Sequence, residues 1–295
     1  MITDQFKGCG VATITPFKQG KIDFAALERI LDYQIEGDVD YLVCLGTTAE
    51  TATLTEDEQH EIIKKTLDVN QGRKPVVLGN FGGNNTHALQ EKFYRYSFDG
   101  IDAILSVSPY YNKPTQEGIY QHYLALAEKS PLPIIMYNVP GRTASNINAD
   151  TVVRLARSHE KIIGIKDASA DLIQATKIAR NVPPDFLVLS GDDPTTLPFI
   201  SCGGMGVISV IANAFPKDFT SMSRAAIQGD FKKAREIHQS LIDIHHWLYL
   251  EGNPVGIKGC MHLLGLCEYD VRLPLVPISP NTLQRMKEEM DRIPS

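Results

Sequence analysis

The sequence predicts an α/β fold, a TIM (β/α)8 barrel with a C-terminal helical appendage. Three observations predict it. Eight short apolar runs alternate with amphipathic stretches almost to residue 225. The first run is not followed by the glycine-rich turn that opens a doubly wound sheet. After Gly229 the alternation stops and only helical patterns remain. With 295 residues, 43% hydrophobic and 22% charged, the chain can build one large core with a small appendage. The barrel is assigned to residues 1–225 and the helical appendage to 226–295; no linker rich in Gly, Pro or Ser separates them, so a rigid attachment is expected.

The expected strands are 10–14, 41–45, 75–79, 103–107, 133–137, 162–166, 186–190 and 206–210. A helix over 23–36 stops at Gly37, and Thr55-Glu56-Asp57-Glu58 is a capping box that opens a helix toward Val69. Further helices begin near Thr86, Thr115, Asp150, Asp171, Asp193 and Pro216. In the appendage, 230–250, 254–264 and 280–293 read as helices. Phe231, Ala234, Ile237, Leu241, Ile244 and Leu248 recur at helical spacing, which predicts one face buried against the barrel or a partner subunit.

Composition excludes several classes of function. The net charge is −6, and Lys232-Lys233 sits in a mixed-charge helix, so no basic surface tracks a nucleic-acid backbone. No uninterrupted apolar stretch approaches the roughly 18 residues of a membrane span, and residues 1–8 carry no charged start with an apolar core; a cytoplasmic protein is expected. Five cysteines without a Cys-x-x-Cys pair read as reduced core residues. His238, His245 and His246 share a helix but lack a His-Glu-x-x-His pattern, so no metal site is assigned.

The chemistry gathers at strand ends. In a barrel of this kind the active site lies where the strands' C-termini open, so the polar residues following each strand are the candidates. Lys166 closes the apolar run 161–167 and would be held partly desolvated, which lowers an amine's pKa and exposes a nucleophile. Strand two leads into Gly46-Thr47-Thr48-Ala49-Glu50, a turn able to offer N–H groups and hydroxyls to a carboxylate. Strand four runs into Pro109-Tyr110-Tyr111-Asn112, and strand five into Tyr137-Asn138-Val139-Pro140-Gly141-Arg142-Thr143, where Arg142 offers a fork for a substrate carboxylate. Asp167 points to the other side of its strand and caps the next turn; Asp192 and Asp193 are expected to cap the helix that follows them. One amine, phenols, threonine hydroxyls and an arginine, with no phosphate loop, indicate Schiff-base chemistry on a keto acid.

As an ordered set, Gly46-Thr47-Thr48-x-Glu50, Pro109-Tyr110-Tyr111-Asn112, Tyr137-Asn138-Val139-Pro140-x-Arg142-Thr143, Gly164-Ile165-Lys166 and Gly206-Val207-Ile208-Ser209-Val210 closely resemble the 4-hydroxy-tetrahydrodipicolinate synthase (dihydrodipicolinate synthase) family of the pyruvate-dependent class I aldolase and lyase superfamily. The resemblance covers essentially the whole chain. It implies a lyase of lysine and diaminopimelate biosynthesis that condenses pyruvate with L-aspartate 4-semialdehyde and needs no cofactor or metal. It further implies Lys166 as the Schiff-base lysine, Tyr137 as general acid/base, and Thr47 and Tyr111 as the rest of a hydroxyl relay. Tyr111 would come from the neighbouring subunit of a tight dimer within a homotetramer. Thr48 and the backbone at Ile208 would hold pyruvate, and Arg142 the semialdehyde's carboxylate. The Thr-Thr pair and Arg142 favour the synthase over a related lyase acting on a sugar acid, and the complete relay disfavours a catalytically inert keto-acid sensor. Two departures stand out. Ala49 occupies a position that is usually glycine, which costs strain only if φ is positive there. Gln59 and Ala88 replace the histidine and glutamate that surround the lysine effector pocket of feedback-sensitive members, while Asn84 and Tyr110 remain; unless a rotated helix lets Glu56 or His60 substitute, weak or absent inhibition by L-lysine is expected.

Overall fold

Eight parallel strands, each flanked by its neighbours in sequence, form a closed barrel: β1 (Gly8–Ala12), β2 (Tyr41–Cys44), β3 (Val76–Leu78), β4 (Ala103–Val107), β5 (Ile134–Asn138), β6 (Ile162–Asp167), β7 (Leu187–Ser190) and β8 (Gly206–Ser209). The computed structural model describes residues 2–293; residues 1, 294 and 295 of the two predicted units lie outside the described residues. Closure runs from Gly8 opposite Gly206 to Val11 opposite Ser209. The strands are buried on both faces, as a parallel sheet requires. Val77, Leu105, Ile135, Leu187 and Ile208 fill the interior, whereas Val76, Ile104, Ile134 and Val188 pack outward beneath the helices. Phe6 closes the end from which β1 starts, edge-on to Tyr41 with ring centroids 5.6 Å apart.

The strand order and the fold class agree with the sequence, and the differences have local causes. β1 begins two residues before its expected start, because Gly8-Cys9-Gly10 lacks an apolar pattern. Gly10 is there to make room: a Cβ on it would fall 2.1 Å from the Tyr41 ring. Gly37 follows the helix Phe24–Glu36 without adopting a left-handed conformation; Asp38 does so, with φ 60°. Gly37 is instead required by close approach, since its Cβ would meet Pro216 at 2.4 Å. The capping box forms as expected, with Thr55 Oγ1 accepting from Glu58 N–H at 3.2 Å and Glu58 Oε2 accepting from Thr55 N–H at 2.9 Å. The expected helix 230–250 is divided into Phe231–Leu241 and Ile244–Leu250. Its stripe is buried at Ala234, Leu241, Ile244 and Leu248, but Phe231 is exposed. Tyr249, in the second segment, and Gly252 and Asn253, in the turn after it, line the barrel mouth. Position 225 lies inside the helix Pro216–Ile227. Among the described residues no helix is long and apolar enough to cross a membrane.

A β-bulge aims the lysine. On β6, Ile162 pairs with Ile134 but Gly164 pairs with Ile135, so Ile163 is an extra residue. Ile163 faces the interior, and strict alternation from it would turn Lys166 outward. The extra residue restores inward direction to Gly164 and Lys166, and Lys166 then lies opposite Tyr137 on β5 and Leu189 on β7.

A buried ion pair ties barrel to appendage. Glu50, at φ 54° after the turn that follows β2, accepts from Lys258 Nζ on the helix Val255–Leu263 and from Arg272 N–H at 2.9 Å. Both side chains are fully buried, at 0% and 1% exposure. Lys258 also donates to Asp270 O at 2.9 Å and stands 4.1 Å from the Phe17 ring centroid. Removing one partner leaves the other charge buried alone. Lys258→Met is therefore expected to lower unfolding stability by about 3–5 kcal/mol. Adding Glu50→Gln should recover much of that loss, as read by denaturant unfolding; a single variant as stable as wild type would show that Glu50 finds compensation elsewhere.

Candidate active site

The C-terminal ends of the strands open into a cavity of about 440 Å³ lined by Thr47, Thr48, Tyr137, Arg142 and Lys166. Lys166 is 5% exposed, with Nζ 4.3 Å from the centroid of the Tyr137 ring. Burial pushes its amine down to about 8; the Asp193 carboxylate opposes that shift and the Arg142 charge adds to it. Gly191, after β7, lies against the lysine stem: a Cβ there would approach Lys166 Cε at 2.9 Å. Tyr137 is held as a phenol by burial, which raises its pKa against the pull of Arg142 and the Thr47 hydroxyl.

The turn after β2 is a 3-10 turn, Thr47–Ala49. Its left-handed residue is Glu50, not Ala49, so alanine carries no backbone strain and the departure from glycine is harmless. Thr48 is buried, and its hydroxyl accepts from Asn253 Nδ2 at 3.1 Å. Arg142, on a short helix Pro140–Thr143 absent from the sequence expectations, is exposed and donates from Nη2 to Asn253 O at 3.2 Å. Asn253 thereby bridges the two groups, and its Oδ1 is buried without a hydrogen-bond partner among the described residues.

The structure brings five of the seven candidates, Thr47, Thr48, Tyr137, Arg142 and Lys166, around this one cavity. Ile208 lies in β8 with its side chain in the barrel interior, and Val210 forms the wall at that strand's end. Tyr111 is 89% exposed at φ 62° and does not line the cavity of its own chain. Its loop is pinned by Asn84, whose Oδ1 accepts from Tyr110 N–H at 2.8 Å and whose Nδ2 donates to Asn112 Oδ1 at 2.8 Å. Asp167 caps as expected, accepting from Ser169 N–H at 3.0 Å. Asp192 caps too, accepting from Thr195 N–H at 3.2 Å. Asp193 does not. It turns back into the fold and accepts from Val210 and Ile211 N–H at 2.9 and 2.8 Å, because the loop after β8 offers two free donors where its own helix offers none in reach. Tyr249 and Asn253 were missed altogether. They come from the appendage; the only trace in the sequence is the turn signal Glu251-Gly252-Asn253-Pro254 directly after an apolar helix.

Comparison with known proteins agrees with this geometry. The model of the dihydrodipicolinate synthetase family matches residues 5–293. The chain belongs to the dihydrodipicolinate synthetase family. The 4-hydroxy-tetrahydrodipicolinate synthase of Parabacteroides distasonis is 49% identical over 288 residues, covering 97% of each chain. The dihydrodipicolinate synthase of Thermotoga maritima superposes with a TM-score of 0.94 at 38% identity, over 97% of both chains. A monomeric dihydrodipicolinate synthase variant gives 0.95 at 38% identity, over 98% of this chain and 97% of that one. The activity is that of a 4-hydroxy-tetrahydrodipicolinate synthase, a lyase, and the sugar-acid lyase alternative is not favoured.

Proposed function

We propose that this dihydrodipicolinate synthetase family member condenses pyruvate with L-aspartate 4-semialdehyde through a Schiff base on Lys166. The observation that supports it most is a buried amine, lowered toward neutrality, facing a phenol held in its protonated form. Neutral Nζ attacks C2 of pyruvate. Tyr137 donates a proton to the carbinolamine oxygen, which leaves as water, and the protonated imine becomes an electron sink. Loss of a methyl proton gives an enamine, whose carbon attacks the semialdehyde's carbonyl. The adduct's amino group then displaces Lys166 and closes the ring. Thr48 and the backbone at Ile208 are assigned to pyruvate, Thr47 to the relay with Tyr137, and Arg142 to the carboxylate of the semialdehyde. The lysine supplies the covalent chemistry, so the reading requires no cofactor. Reduction with borohydride in the presence of pyruvate is expected to place one adduct on Lys166 and none on Lys166→Ala. The trapping rate should rise through pH of about 8 as ammonium gives way to amine. An adduct on another lysine overturns the assignment.

Tyr111 is assigned to the relay of a neighbouring copy, in a tight dimer that pairs again into a homotetramer. Its exposure and its left-handed backbone, on a loop pinned by Asn84, support a side chain presented outward. Tyr111→Phe and Lys166→Ala are each expected to be nearly inactive. Their random co-assembly should recover up to about a quarter of wild-type activity, because half of the sites in each mixed dimer inherit both groups. No recovery in verified mixed dimers would return Tyr111 to its own chain.

Weak feedback is proposed for the same reason of charge. Gln59 Oε1 accepts from Asn80 Nδ2 and from the Tyr96 hydroxyl, both at 2.8 Å, so the position is neutral and already occupied. An effector ammonium desolvated there meets no charge on Gln59, and Glu56, whose charge reaches the neighbouring Tyr96, already pairs with Arg95 at 3.5 Å; the expected loss is about two orders of magnitude in affinity. L-Lysine titrated against initial rate at sub-saturating pyruvate should not reach half-inhibition below roughly millimolar concentration, and half-inhibition below it rejects the proposal.

A further inference from the structure

A carboxyl group that capping does not explain sits behind the Schiff-base site. Asp193 is 1% exposed. Its Oδ2 takes the Val210 and Ile211 N–H groups, while Oδ1 has no hydrogen-bond partner among the described residues. The third group on Oδ2 is the Tyr249 hydroxyl at 3.4 Å, delivered by the second appendage helix, whose ring forms part of the cavity wall. The loop that carries Asp193 begins at Gly191, in contact with the Lys166 stem. A buried anion whose charge acts on an amine that becomes a cationic imine in the proposed reaction has an electrostatic consequence whatever its structural origin.

We propose that Asp193 and Tyr249 are positioning residues for the reaction: the carboxylate balances positive charge on Lys166 nitrogen, first as ammonium and then as protonated imine, and the Tyr249 hydroxyl orients that carboxylate. The inference rests on the Schiff-base reading of Lys166. No proton is transferred by the pair; Tyr249 donates a hydrogen bond to Oδ2 and keeps its proton, in line with a phenol raised well above its usual range by burial and by Asp193. The groups that act on Lys166 are Asp193, Arg142 and the Tyr137 ring. Those acting on Asp193 are Ser209, Asp192 and Tyr249, and its field also reaches the Cys9 thiol on β1. Burial raises Asp193 to about 6, so it is ionised across the range in which Lys166, at about 8, changes its charge. The sign follows. The anion favours the ammonium and holds the amine's titration higher than burial alone would place it.

The test is the pH dependence of kcat/KM for pyruvate in the wild-type protein, Asp193→Asn and Tyr249→Phe, with the reduced pyruvate adduct mapped in each. In Asp193→Asn the rising limb should move to lower pH by roughly half a unit or more, while kcat falls roughly tenfold as the imine loses its counter-charge. Tyr249→Phe should move the limb in the same direction by less. If Asp193→Asn does not fold cooperatively, the cavity-facing Tyr249→Phe decides alone. Limbs that coincide with wild type, with the adduct still on Lys166, overturn the inference while leaving the Schiff-base reading intact. A wild-type adduct found elsewhere overturns that reading and the inference with it.

Discussion

The pairing of Glu50 with Lys258 is the constraint on which the rest of the site depends. It joins the turn after β2 to the helix Val255–Leu263, two segments more than two hundred residues apart in sequence. Apolar side chains of similar volume would hold two elements together at least as well, because desolvating both charges offsets much of their attraction. What an ion pair adds is direction. Glu50 has its two oxygens committed to Lys258 and to the Arg272 N–H, which holds its left-handed backbone and sets the angle at which Thr47 and Thr48 face the cavity. From the other side, the same anchor fixes the chain that carries Tyr249 and Asn253.

Within that frame the amine is governed by opposing influences. Burial and Arg142 favour neutral Lys166; Asp193 favours the ammonium. A lysine in a wholly apolar pocket would be a ready nucleophile but would resist becoming a cationic imine, whereas a solvated one would stabilise the cation and rarely attack. Intermediate surroundings suit both halves of the proposed Schiff-base reaction, which begins at a neutral nitrogen and proceeds through a positive one.

Most of the barrel was legible in the sequence, because strands buried on both faces must be apolar throughout and the helices between them carry their own caps. Lys166 was legible for the same reason: an amine at the end of an isoleucine run is conspicuous. What could not be read is what depends on neighbours distant in sequence. The bulge at Ile163 appears only when β5 and β6 are paired, yet it decides which way Lys166 points. Gly37 ends its helix as expected, but what requires glycine there is the close approach of Pro216, not a left-handed backbone. Asp193 looks like a cap because Asp192 beside it is one, and its true donors lie in the next loop. Tyr249 and Asn253 carry no catalytic motif, since their place in the site depends on how the appendage lies over the barrel mouth.

The cavity is consequently assembled from two sources with different freedom to change. Lys166, Tyr137, Thr47 and Thr48 stand on or directly after barrel strands, where a shift of one residue would disturb ladder hydrogen bonds and interior packing together. Arg142 and Asn253 stand on a short helix and an appendage turn, and meet each other through one Nη2 to O contact at 3.2 Å. Asn253 is the joint, because its side chain also donates to Thr48. On the proposed assignment, pyruvate is held by the strand-borne groups, while the second substrate is recognised by Arg142 on the short helix. Asn253 couples the two sources: a change in the appendage that displaced it would be felt at Thr48 through a single hydrogen bond.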